Sequence, residues 1–519
     1  SWEQRPLDIL YTSLIFILKI DNPCQARKYN QSSIVCVCNA DYCDEVSKVN
    51  PLSPGKYVLY SSSNVSPHQK RMGGRQATSL DVTYQTIEGF GGSFTDAAGI
   101  NLQTLSQGAQ DNFVKSYFSE KGLEYNVGRV PIGGSDFSTH PYAYNMQPTD
   151  DLQLSNFSLT EEDYTLKVSQ KPRLHWAKEL HIMATAWSPP VWMKTNGEFG
   201  GESRLIDKYY QTWADYHLRF LQEYKKNNVS IWAISTGNEP SNGIIPILAF
   251  NSLGWMPSDQ ARWVAENLGP TIKHSEFKDV NILALDDQRF SLPWWIEWVN
   301  KYFCNNNNTM QYIDGVAVHW YWNDLIGPSS LDRTHNAFPD KFLIGTEACV
   351  GRYPTKVELG SWSRAEMYIK DILEGLNHWY VGWIDWNLAL SREGGPNWFN
   401  NFVDAGVIVM PDSDEFLKQP LFYAVGHFSK FIPRGSVRVE VKELTGFVDH
   451  VAFLRPDNGI VVVFYNPSHK NLIFLNKRLC GGMRSRLQDC TVMVISTILK
   501  PMEVITAKAV SLVDSQTSG

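Results

Sequence analysis

Two patterns of hydrophobic and polar positions divide the chain. In its long central part, short runs rich in Val, Ile and aromatic residues alternate with longer amphipathic stretches, as in parallel strands that are each followed by a helix. The predicted strands are 87–91, 126–131, 182–186, 230–235, 281–285, 315–318, 342–345 and 381–385. The clearest predicted helices are 109–117, 209–224, 259–267, 292–302 and 364–376, whereas Pro172 argues against a helix before the third strand. Eight strand–helix units predict a (β/α)8 TIM barrel in the α/β class.

On both sides of this region the apolar residues alternate with polar ones, which predicts antiparallel strands. The predicted strands are 57–60 and 80–84 before the barrel and 437–441, 450–454, 459–465 and 471–475 after it. We therefore expect the barrel to be inserted into a β-sandwich built from both ends of the chain. The predicted domains are a β-sandwich of 51–84 and 438–519, a barrel of 85–389 and 422–437, and a small antiparallel β domain of 24–50 and 390–421.

The cysteines are concentrated near the N-terminus, where Cys24, Cys36, Cys38 and Cys43 account for four of the eight. No His lies among them and no Cys-x2-Cys pair occurs, which disfavours a zinc site. A small disulfide-stapled segment in an oxidising compartment fits better. Asn-x-Ser/Thr sequons begin at Asn30, Asn64, Asn156, Asn228 and Asn307, as expected of a secreted glycoprotein.

An apolar run at residues 9–20 is too short to span a bilayer but has the length of a signal-peptide core. We interpret residues 1–23 as a signal remnant and expect a soluble protein that is exported or lysosomal. The net charge of −7 and the absence of a basic run argue against a nucleic-acid partner.

Polar and aromatic residues follow nearly every predicted barrel strand. In a parallel barrel these strand ends meet at one rim, where active sites form. Glu239 follows the fourth strand and Glu347 the seventh. Such a pair fits glycoside hydrolysis, in which one carboxylic acid protonates the leaving oxygen and the other carboxylate attacks the sugar or activates water. The plainer alternative is that Glu239 caps the next helix while Asn238 makes the turn.

Other residues on the predicted rim have roles that suit a sugar site. Arg129 and a Tyr hydroxyl would keep one carboxylate ionised, and Asn238 would donate to a sugar 2-hydroxyl. Trp187 and Trp386 would pack on the sugar ring, and Asp136 would accept from its hydroxyls. Asn397 lies in the loop after the eighth strand.

Three further features have competing interpretations. Asp286 and Asp287 are structural residues coupled to Arg289 in the plainer interpretation, and His319 is a buried hydrogen-bonded residue rather than a proton carrier. Cys349 with His319 suggests a cysteine hydrolase, although a buried Cys is usually inert. No metal-ligand trio dominates the rim, so we expect neither a metal nor another cofactor.

Several long motifs resemble one family, the lysosomal acid β-glucosidases or glucocerebrosidases. They are VCVCNA at 35–40, GFGG at 89–92 with TDAA at 95–98, DQR at 287–289, AVHWY at 317–321, EACV at 347–350, DWNLAL at 385–390, EGGPNW at 393–398 and GHFSKFI at 426–432. The resemblance covers about residues 24–465. It implies a retaining enzyme that cleaves glucosylceramide, with Glu239 as acid/base and Glu347 as nucleophile.

The resemblance also implies roles for other residues. The implied glucose-pocket residues are Asp136, Trp187, Asn238, Trp386 and Asn397, supported by Arg129, His319 and Tyr321. It further implies Cys24–Cys36 and Cys38–Cys43 disulfides, a saposin-type activator, an anionic lipid surface and a lysosomal targeting receptor. The expected location is the lysosomal lumen, peripherally associated with the membrane.

The chain also departs from the family. A family sequon is lost at Asn39-Ala40-Asp41, and the loop 244–250 lacks an aromatic Tyr at the entrance of the site. Beyond Asn476 the resemblance ends, no closing strands are predicted, and Cys480 and Cys490 have no family counterpart. Two rival functions stay open: the same fold acting on another β-glycoside, such as a β-xyloside or a β-1,6-glucan, and a catalytically dead sugar- or lipid-binding carrier.

Overall fold

Eight parallel strands close into a barrel in a computed structural model of the chain. The barrel strands, in chain order, are Gly89–Ser93, Val127–Ile132, His181–Ala186, Ile231–Ser235, Asn281–Gln288, Gly315–His319, Phe342–Glu347 and Tyr380–Asn387. Each overlaps one of the eight predicted strands, so the predicted (β/α)8 barrel is confirmed.

The structure describes residues 22–46, 56–63, 66–74, 82–167, 179–245, 249–304, 307–351, 354–441, 448–468, 472–473, 498–499 and 504–510. The apolar run at 9–20, the sequon at Asn64, and Cys480 and Cys490 lie outside the described residues. Among the described residues, no helix combines the length and apolar character that a membrane span requires.

The barrel interior is filled by apolar side chains of moderate size. A buried cluster inside it takes Val127, Met183, Leu283, Ile344 and Ile384 from different strands. The first strand is glycine-rich because its neighbours approach closely: a Cβ on Gly91 would lie 1.6 Å from the carbonyl oxygen of Val127. This packing leaves the carboxyl ends of the strands as the place where polar side chains gather.

Helices surround the barrel. They are Asp96–Gln103, Gln107–Phe118, Tyr210–Lys226, Pro257–Trp263, Gly269–Lys273, Trp294–Asn300, Ser329–Ala337, Trp362–Asn377 and Pro420–Ser429. The predicted helix 259–267 begins as Pro257–Trp263 and continues as a wider turn over Val264–Leu268. The predicted helix 292–302 is shorter and starts after Pro293, which lacks the N–H that a helix interior needs. Before the third strand, only the wide turn Asp163–Lys167 is described.

Strands from both ends of the chain form one antiparallel sheet of seven. Its order is Ser66–Gly74, Lys56–Ser63, Val504–Val510, Gly459–Tyr465, Asp449–Leu454, Val437–Val439, Thr83–Thr86. A two-stranded sheet of Leu472–Ile473 and Ile498–Leu499 accompanies it. The expectation that no closing strand follows Asn476 is therefore wrong. The segment Val504–Val510 pairs on one side with Gly459–Tyr465 and on the other with Lys56–Ser63, so it joins the two ends of the chain.

The N-terminal cysteine segment belongs to a separate five-stranded sheet. Its order is Ala26–Lys28, Ile34–Cys38, Glu415–Lys418, Val407–Met410, Leu390–Ser391. The last pair is parallel, so the sheet is mixed rather than wholly antiparallel. Disulfides join Cys24 to Cys36 and Cys38 to Cys43, which fastens the flanking segments to the second strand.

Candidate active site

Glu239 and Glu347 face each other across the rim of the barrel. Glu347 is the last residue of the seventh strand, and Glu239 follows the fourth strand by four residues. A carboxylate oxygen of each and a ring nitrogen of His319 all lie within 4.8 Å of one another. Carboxyl pairs of retaining glycosidases are about 5–5.5 Å apart, whereas inverting enzymes need about 6.5–9.5 Å to admit a water. The observed spacing fits the retaining geometry.

The backbone turns sharply to present Glu239. Gly237 has φ +127°, and Glu239 itself is left-handed, with φ 42° and ψ 63°. A non-glycine residue with left-handed backbone angles costs about 1–3 kcal/mol of conformational free energy, and it persists only where the surrounding structure holds it. Two backbone hydrogen bonds do so: the Asn238 N–H donates to the Ala186 carbonyl and the Glu239 N–H to the Asp286 carbonyl, each at 2.9 Å. Glu239 precedes the turn Pro240–Gly243, but its side chain makes no capping bond there. The helix-cap alternative is therefore wrong.

Three side chains hold the Glu239 carboxylate. Gln288 Nε2 donates to its Oε1 at 2.7 Å, His319 Nδ1 lies 2.9 Å from the same oxygen, and Asn242 Nδ2 donates to Oε2. The sequence assigned no role to Gln288 or Asn242. Gln288 stands in the polar run after the predicted fifth strand 281–285, and Asn242 is three residues past Glu239, so their position near the rim was the available signal.

Glu347 has a different environment, with an Arg and a Tyr as donors. Arg129 Nη1 donates to its Oε2, and the Tyr321 hydroxyl donates to its Oε1 at 2.8 Å. Burial raises the pKa of Glu347, the positive charges of His319 and Arg129 oppose that rise, and the charge of Glu239 adds to it, so the pKa lies above its ordinary value. The carboxylate form of Glu347 thus depends on its two cationic neighbours.

Below the two glutamates lies a fully buried network centred on Asp286. Arg129 Nη2 donates to Asp286 Oδ2 at 3.0 Å and to Asn238 Oδ1 at 2.8 Å, and His319 Nε2 lies 3.1 Å from Asp286 Oδ1. The hydroxyls of Thr185 and Thr346 also donate to this carboxylate, at 2.8 and 2.7 Å. Burial would raise the pKa of Asp286, but the charges of Arg129 and His319 hold it well below its ordinary value.

His319 is a cation within this network. Burial would lower the pKa of His319, but the charges of Glu347 and Asp286, with hydrogen bonds to Asp286 and Glu239, raise it to about 10. A group with that pKa stays protonated at neutral and acid pH, so it supplies a fixed charge rather than a proton. This matches the interpretation of His319 as a buried, hydrogen-bonded residue.

The expected coupling of Asp286 and Asp287 to Arg289 is wrong. Arg289 turns away and donates to Glu374 at 2.6 Å and to the Asn323 carbonyl at 2.9 Å. The reason is a bulge between Leu285 and Asp287, where Leu285 and Asp286 both have positive φ. Bulges re-aim side chains, and this one directs Asp286 toward Arg129. Asp287 accepts from the Ser241 N–H at 2.9 Å, and burial together with the charge of Glu239 raises its pKa to about 6.

Two tryptophans form one wall of the site. The rings of Trp187 and Trp386 stack with centroids 5.1 Å apart, and the Arg129 guanidinium lies 5.0 and 5.3 Å from them. Both rings line a cavity of about 680 Å³ that also contains Asp136, Asn238 and the two glutamates. The wall is thus aromatic and rigid, as a sugar platform requires.

At the end of this cavity, Asp136 is held by two asparagines. Asn397 and Asn401 donate to its Oδ2 at 3.1 and 3.2 Å. Burial and then the charge of Glu347 raise the pKa of Asp136 to about 7. Asn401 lines the cavity but Asn397 does not: the Asn397 Oδ1 accepts from the N–H groups of Phe399 and Asn401, so it shapes the loop instead. The family resemblance implied Asn397 in the glucose pocket, and Asn401 was not singled out.

The geometry speaks against a cysteine hydrolase. Cys349 contacts the Tyr321 hydroxyl at 3.3 Å, burial raises its thiol pKa well above the ordinary value, and both ring nitrogens of His319 are already bonded to carboxylates. A protonated thiol without a base does not support the cysteine-hydrolase alternative. The trio Glu239, His319 and Glu347 has the spacing of a metal site, and a metal ion there would have to displace the proton of the His319 imidazole.

The mouth of the cavity has an apolar edge. Ile245, Phe250, Phe290, Trp322 and Leu325 line it. Ile245 and Phe290 follow Asn242 and Gln288, the two amides that hold Glu239. Leu325 is 70% exposed and Trp322 47% exposed, so this edge continues onto the surface.

Comparisons with known proteins agree with this site. The chain is 41% identical over 475 residues to "Lysosomal acid glucosylceramidase" of Mus musculus, covering 87% of this chain and 90% of that protein. It is 38% identical to "Putative glucosylceramidase 4" of Caenorhabditis elegans, covering 86% and 88%. The crystal structure of SrfJ from Salmonella typhimurium matches with a TM-score of 0.75 and 25% identity, over 88% of this chain and 99% of that one. The glycosyl hydrolase family 30 TIM-barrel domain matches residues 87–432 and the family's beta sandwich domain residues 435–474. The chain therefore belongs to glycosyl hydrolase family 30, whose members are retaining glycosidases.

Proposed function

We propose that this enzyme is a retaining β-glucosidase that hydrolyses glucosylceramide to glucose and ceramide. The observation that carries the proposal is the Glu239–Glu347 pair, whose oxygens lie within 4.8 Å and whose two carboxylates have different partners. The names of the Mus musculus and Caenorhabditis elegans relatives, at 41% and 38% identity, support this substrate.

In the proposed reaction the glucose anomeric carbon lies next to Glu347. Arg129 and Tyr321 orient the Glu347 carboxylate, which attacks that carbon while Glu239 gives its proton to the departing oxygen of ceramide. Water then enters on the Glu239 side, loses a proton to Glu239 and displaces Glu347 from the glycosyl-enzyme. His319, as a fixed cation, favours the ionised nucleophile at acid pH.

We assign the glucose pocket to Asp136, Trp187, Asn238, Trp386 and Asn397. Since Asn238 Oδ1 already accepts from Arg129, its amide NH2 is the group that can donate to the sugar 2-hydroxyl. Asn397 contributes through the loop it holds, and Asn401 joins the set because it lines the cavity next to Asp136.

The lipid part of the substrate would lie against the apolar mouth. A leaving group departs on the side of the acid, and Phe290, which lines the cavity together with Trp322 and Leu325, lies two residues past Gln288, the donor to Glu239. The rings of Phe290 and Trp322 are 6.2 Å apart and perpendicular. Burying acyl or sphingoid carbons there would contribute about 0.8 kcal/mol for each methylene.

We further propose that the enzyme works in the lysosomal lumen, peripherally associated with the membrane. The lysosomal name of the Mus musculus relative, the sequons and the two disulfides support this location. On the helix after Phe290, Trp294 and Trp298 are 41% and 51% exposed, and Lys301 Nζ lies 4.5 Å from the Trp298 ring centroid. Tryptophan beside a cation suits an anionic lipid surface. A saposin-type activator and a lysosomal targeting receptor are the protein partners we propose from the resemblance.

The test is hydrolysis of a fluorogenic β-glucoside and of glucosylceramide in vesicles at about pH 5, with and without anionic lipid. Glu347→Gln should lose several orders of magnitude of kcat with both substrates. Glu239→Gln should lose about 10²–10⁴-fold with glucosylceramide, and less with an aryl glucoside whose leaving group needs no proton.

The outcomes separate the rival functions. Activity that survives Glu347→Gln would reject the site assignment. Wild-type activity on β-xylosides or β-1,6-glucans in place of glucosides would favour the other-glycoside alternative. Binding of glucosylceramide without turnover of any glycoside would favour the carrier.

A further inference from the structure

Asp287 is a fully buried carboxyl near the end of the fifth barrel strand, and the reaction described above does not use it. It is the next-to-last residue of that strand and has no exposed surface. Its neighbour Asp286 is paired with Arg129 and His319, whereas neither cation forms an ion pair with Asp287. Burying a carboxyl costs free energy unless its oxygens find hydrogen-bond donors. Two backbone N–H groups are its donors, and both belong to segments that hold the acid/base.

The first donor lies in the turn that follows Glu239. The Ser241 N–H donates to Asp287 Oδ2 at 2.9 Å, and the Ser241 side chain also hydrogen-bonds to this carboxyl. Ser241 is the second residue of the turn Pro240–Gly243, where a backbone N–H has no acceptor within the turn itself. The Glu239 N–H donates to the Asp286 carbonyl at 2.9 Å. The turn is thus fastened to the fifth strand at two points, and the Asp287 side chain is one of them.

The second donor lies in the residue that binds the Glu239 carboxylate. The Gln288 N–H donates to Asp287 Oδ1 at 2.7 Å, and Gln288 Nε2 donates to Glu239 Oε1, also at 2.7 Å. Gln288 Oε1 accepts from the Tyr321 N–H at 3.1 Å, which fixes the other end of the amide. The Asp287 carboxyl therefore links the turn that presents Glu239 to the side chain that binds it.

This link bears on acid catalysis because the backbone of Glu239 is strained. Its φ of 42° persists only while the surrounding bonds offset the cost. A proton donor must lie within hydrogen-bond reach of the leaving oxygen, and a displacement of about 1 Å can cost about 100-fold in rate. Movement of the turn would displace the acid alone, since the nucleophile Glu347 is held separately by Arg129 and Tyr321.

We propose that Asp287 is a positioning residue that holds Glu239 at the leaving oxygen. It does so by accepting from two backbone N–H groups, those of Ser241 and Gln288. Asp287 does not line the active-site cavity, so it acts through Glu239 rather than on the substrate. A carboxyl suits this role because each oxygen accepts one donor, whereas the amide of Asn has a single oxygen and an NH2 that cannot accept. The inference rests on the proposed function, in which Glu239 is the acid.

The experiment measures kcat/KM of Asp287→Asn with three β-glucosides: 2,4-dinitrophenyl, 4-methylumbelliferyl and n-hexyl. Their leaving groups need a proton to an increasing degree, and kcat/KM reports the first step, in which Glu239 gives that proton. The variant should lose about 10- to 100-fold with the hexyl glucoside and less than about threefold with the dinitrophenyl glucoside. The retained dinitrophenyl activity also reports folding. An equal loss with all three substrates, or no loss, would overturn the proposal.

A double-mutant cycle asks whether Asp287 acts through Glu239. In the Glu239→Gln background, Asp287→Asn should have no further effect on kcat/KM for the umbelliferyl glucoside, because residues that act as one unit are not additive. Losses that add would overturn the proposal.

The matched control is Asp371→Asn. Burial raises the pKa of Asp371 to about 6, as it does for Asp287, but Asp371 accepts from Trp383 Nε1 and Asn323 Nδ2, away from the acid/base. This variant should change kcat/KM for the three glucosides by the same factor. A dependence on the leaving group as large as that of Asp287→Asn would overturn the positioning role.

Two further arms keep the outcomes distinct. Asp287→Ser keeps one acceptor oxygen and adds no volume, and it carries the same expectations should Asp287→Asn not fold. A wild type that cleaves none of the glucosides, or a Glu347→Gln variant that stays active, would reject the proposed function and the positioning role together. Equal losses in Asp287→Asn, with an active wild type, would reject the positioning role alone.

Discussion

Replacing His319 with Gln should move the acid limb of the pH–rate profile. His319 is the cation that faces both glutamates, with Nδ1 2.9 Å from Glu239 Oε1 and 3.9 Å from Glu347 Oε1. The substitution keeps a polar side chain of similar reach but removes the charge. Without that charge the ionised form of Glu347 is less stable, so its pKa should rise further.

The structure gives the size of the effect. Two unit charges 3.9 Å apart interact by about 4 kcal/mol at an effective dielectric constant of about 20, which corresponds to about 3 pKa units. The cavity opens to water, so solvent reduces this figure, and we expect a rise of about 1 to 3 units. Since catalysis needs the carboxylate, the variant should be most impaired at acid pH and recover as the pH increases.

The assay is kcat/KM between about pH 4 and 8 with an aryl glucoside whose leaving group needs little protonation, so that loss of the bond to Glu239 matters least. The matched control is His217→Gln. His217 is also fully buried, and its Nδ1–H donates to the Trp213 carbonyl at 2.8 Å. Burial lowers its pKa to about 4, so it is largely uncharged over all but the acid end of the assay. Its replacement should leave the acid limb of the pH–rate profile unchanged. A uniform loss of activity in His319→Gln, with the acid limb unmoved, would refute the electrostatic argument.

Three further predictions follow from the same structure. Tyr321→Phe removes the 2.8 Å bond to Glu347 and should lower kcat/KM for an aryl glucoside about 10- to 100-fold; unchanged kinetics would show that the hydroxyl does not position the nucleophile. In calorimetry, the protein without substrate should melt at a higher temperature at pH 5 than at pH 7. Four buried carboxyls have pKa values in the folded protein that lie above the ordinary 3.8, so they bind protons on folding, and stability is lost as the pH rises through about 4 to 7. A melting temperature that does not change with pH would contradict this. The four carboxyls are Asp136 and Asp385, with a pKa of about 7, and Asp287 and Asp371, with a pKa of about 6. Replacing both Cys38 and Cys43 with Ser should lower the free energy of unfolding by about 2 kcal/mol, the loop-closure value for a short loop. Replacing the free Cys349 with Ser should not lower it. Equal melting temperatures for the wild type and both variants would refute a stabilising disulfide.

Much of the architecture could be predicted from local pattern. The eight barrel strands were readable because a buried parallel strand is a short run of β-branched and aromatic residues, whatever surrounds it. Once the strands are known, barrel topology brings their carboxyl ends to one rim, so Glu239 and Glu347 could be expected to meet although they are 108 positions apart in the sequence. The strand Val504–Val510 was not predicted. Its residues alternate, but the family resemblance ends before it, so no family motif marked it as a closing strand.

The partners of each side chain were decided by the tertiary structure. Sequence proximity suggested that Asp286 pairs with Arg289, but a bulge with positive φ at Leu285 and Asp286 directs the carboxylate to Arg129, 157 positions away. In the same way, Asn397 and Asn401 are equally polar in the sequence, and only the loop conformation decides that Asn401 lines the cavity. The sequence by itself determined which residues stand at the rim, because strand period and barrel topology are local and general properties. Which rim residues touch, and how their charges shift one another, depends on a few backbone angles and on distances of a few ångströms, and these exist only in the folded chain.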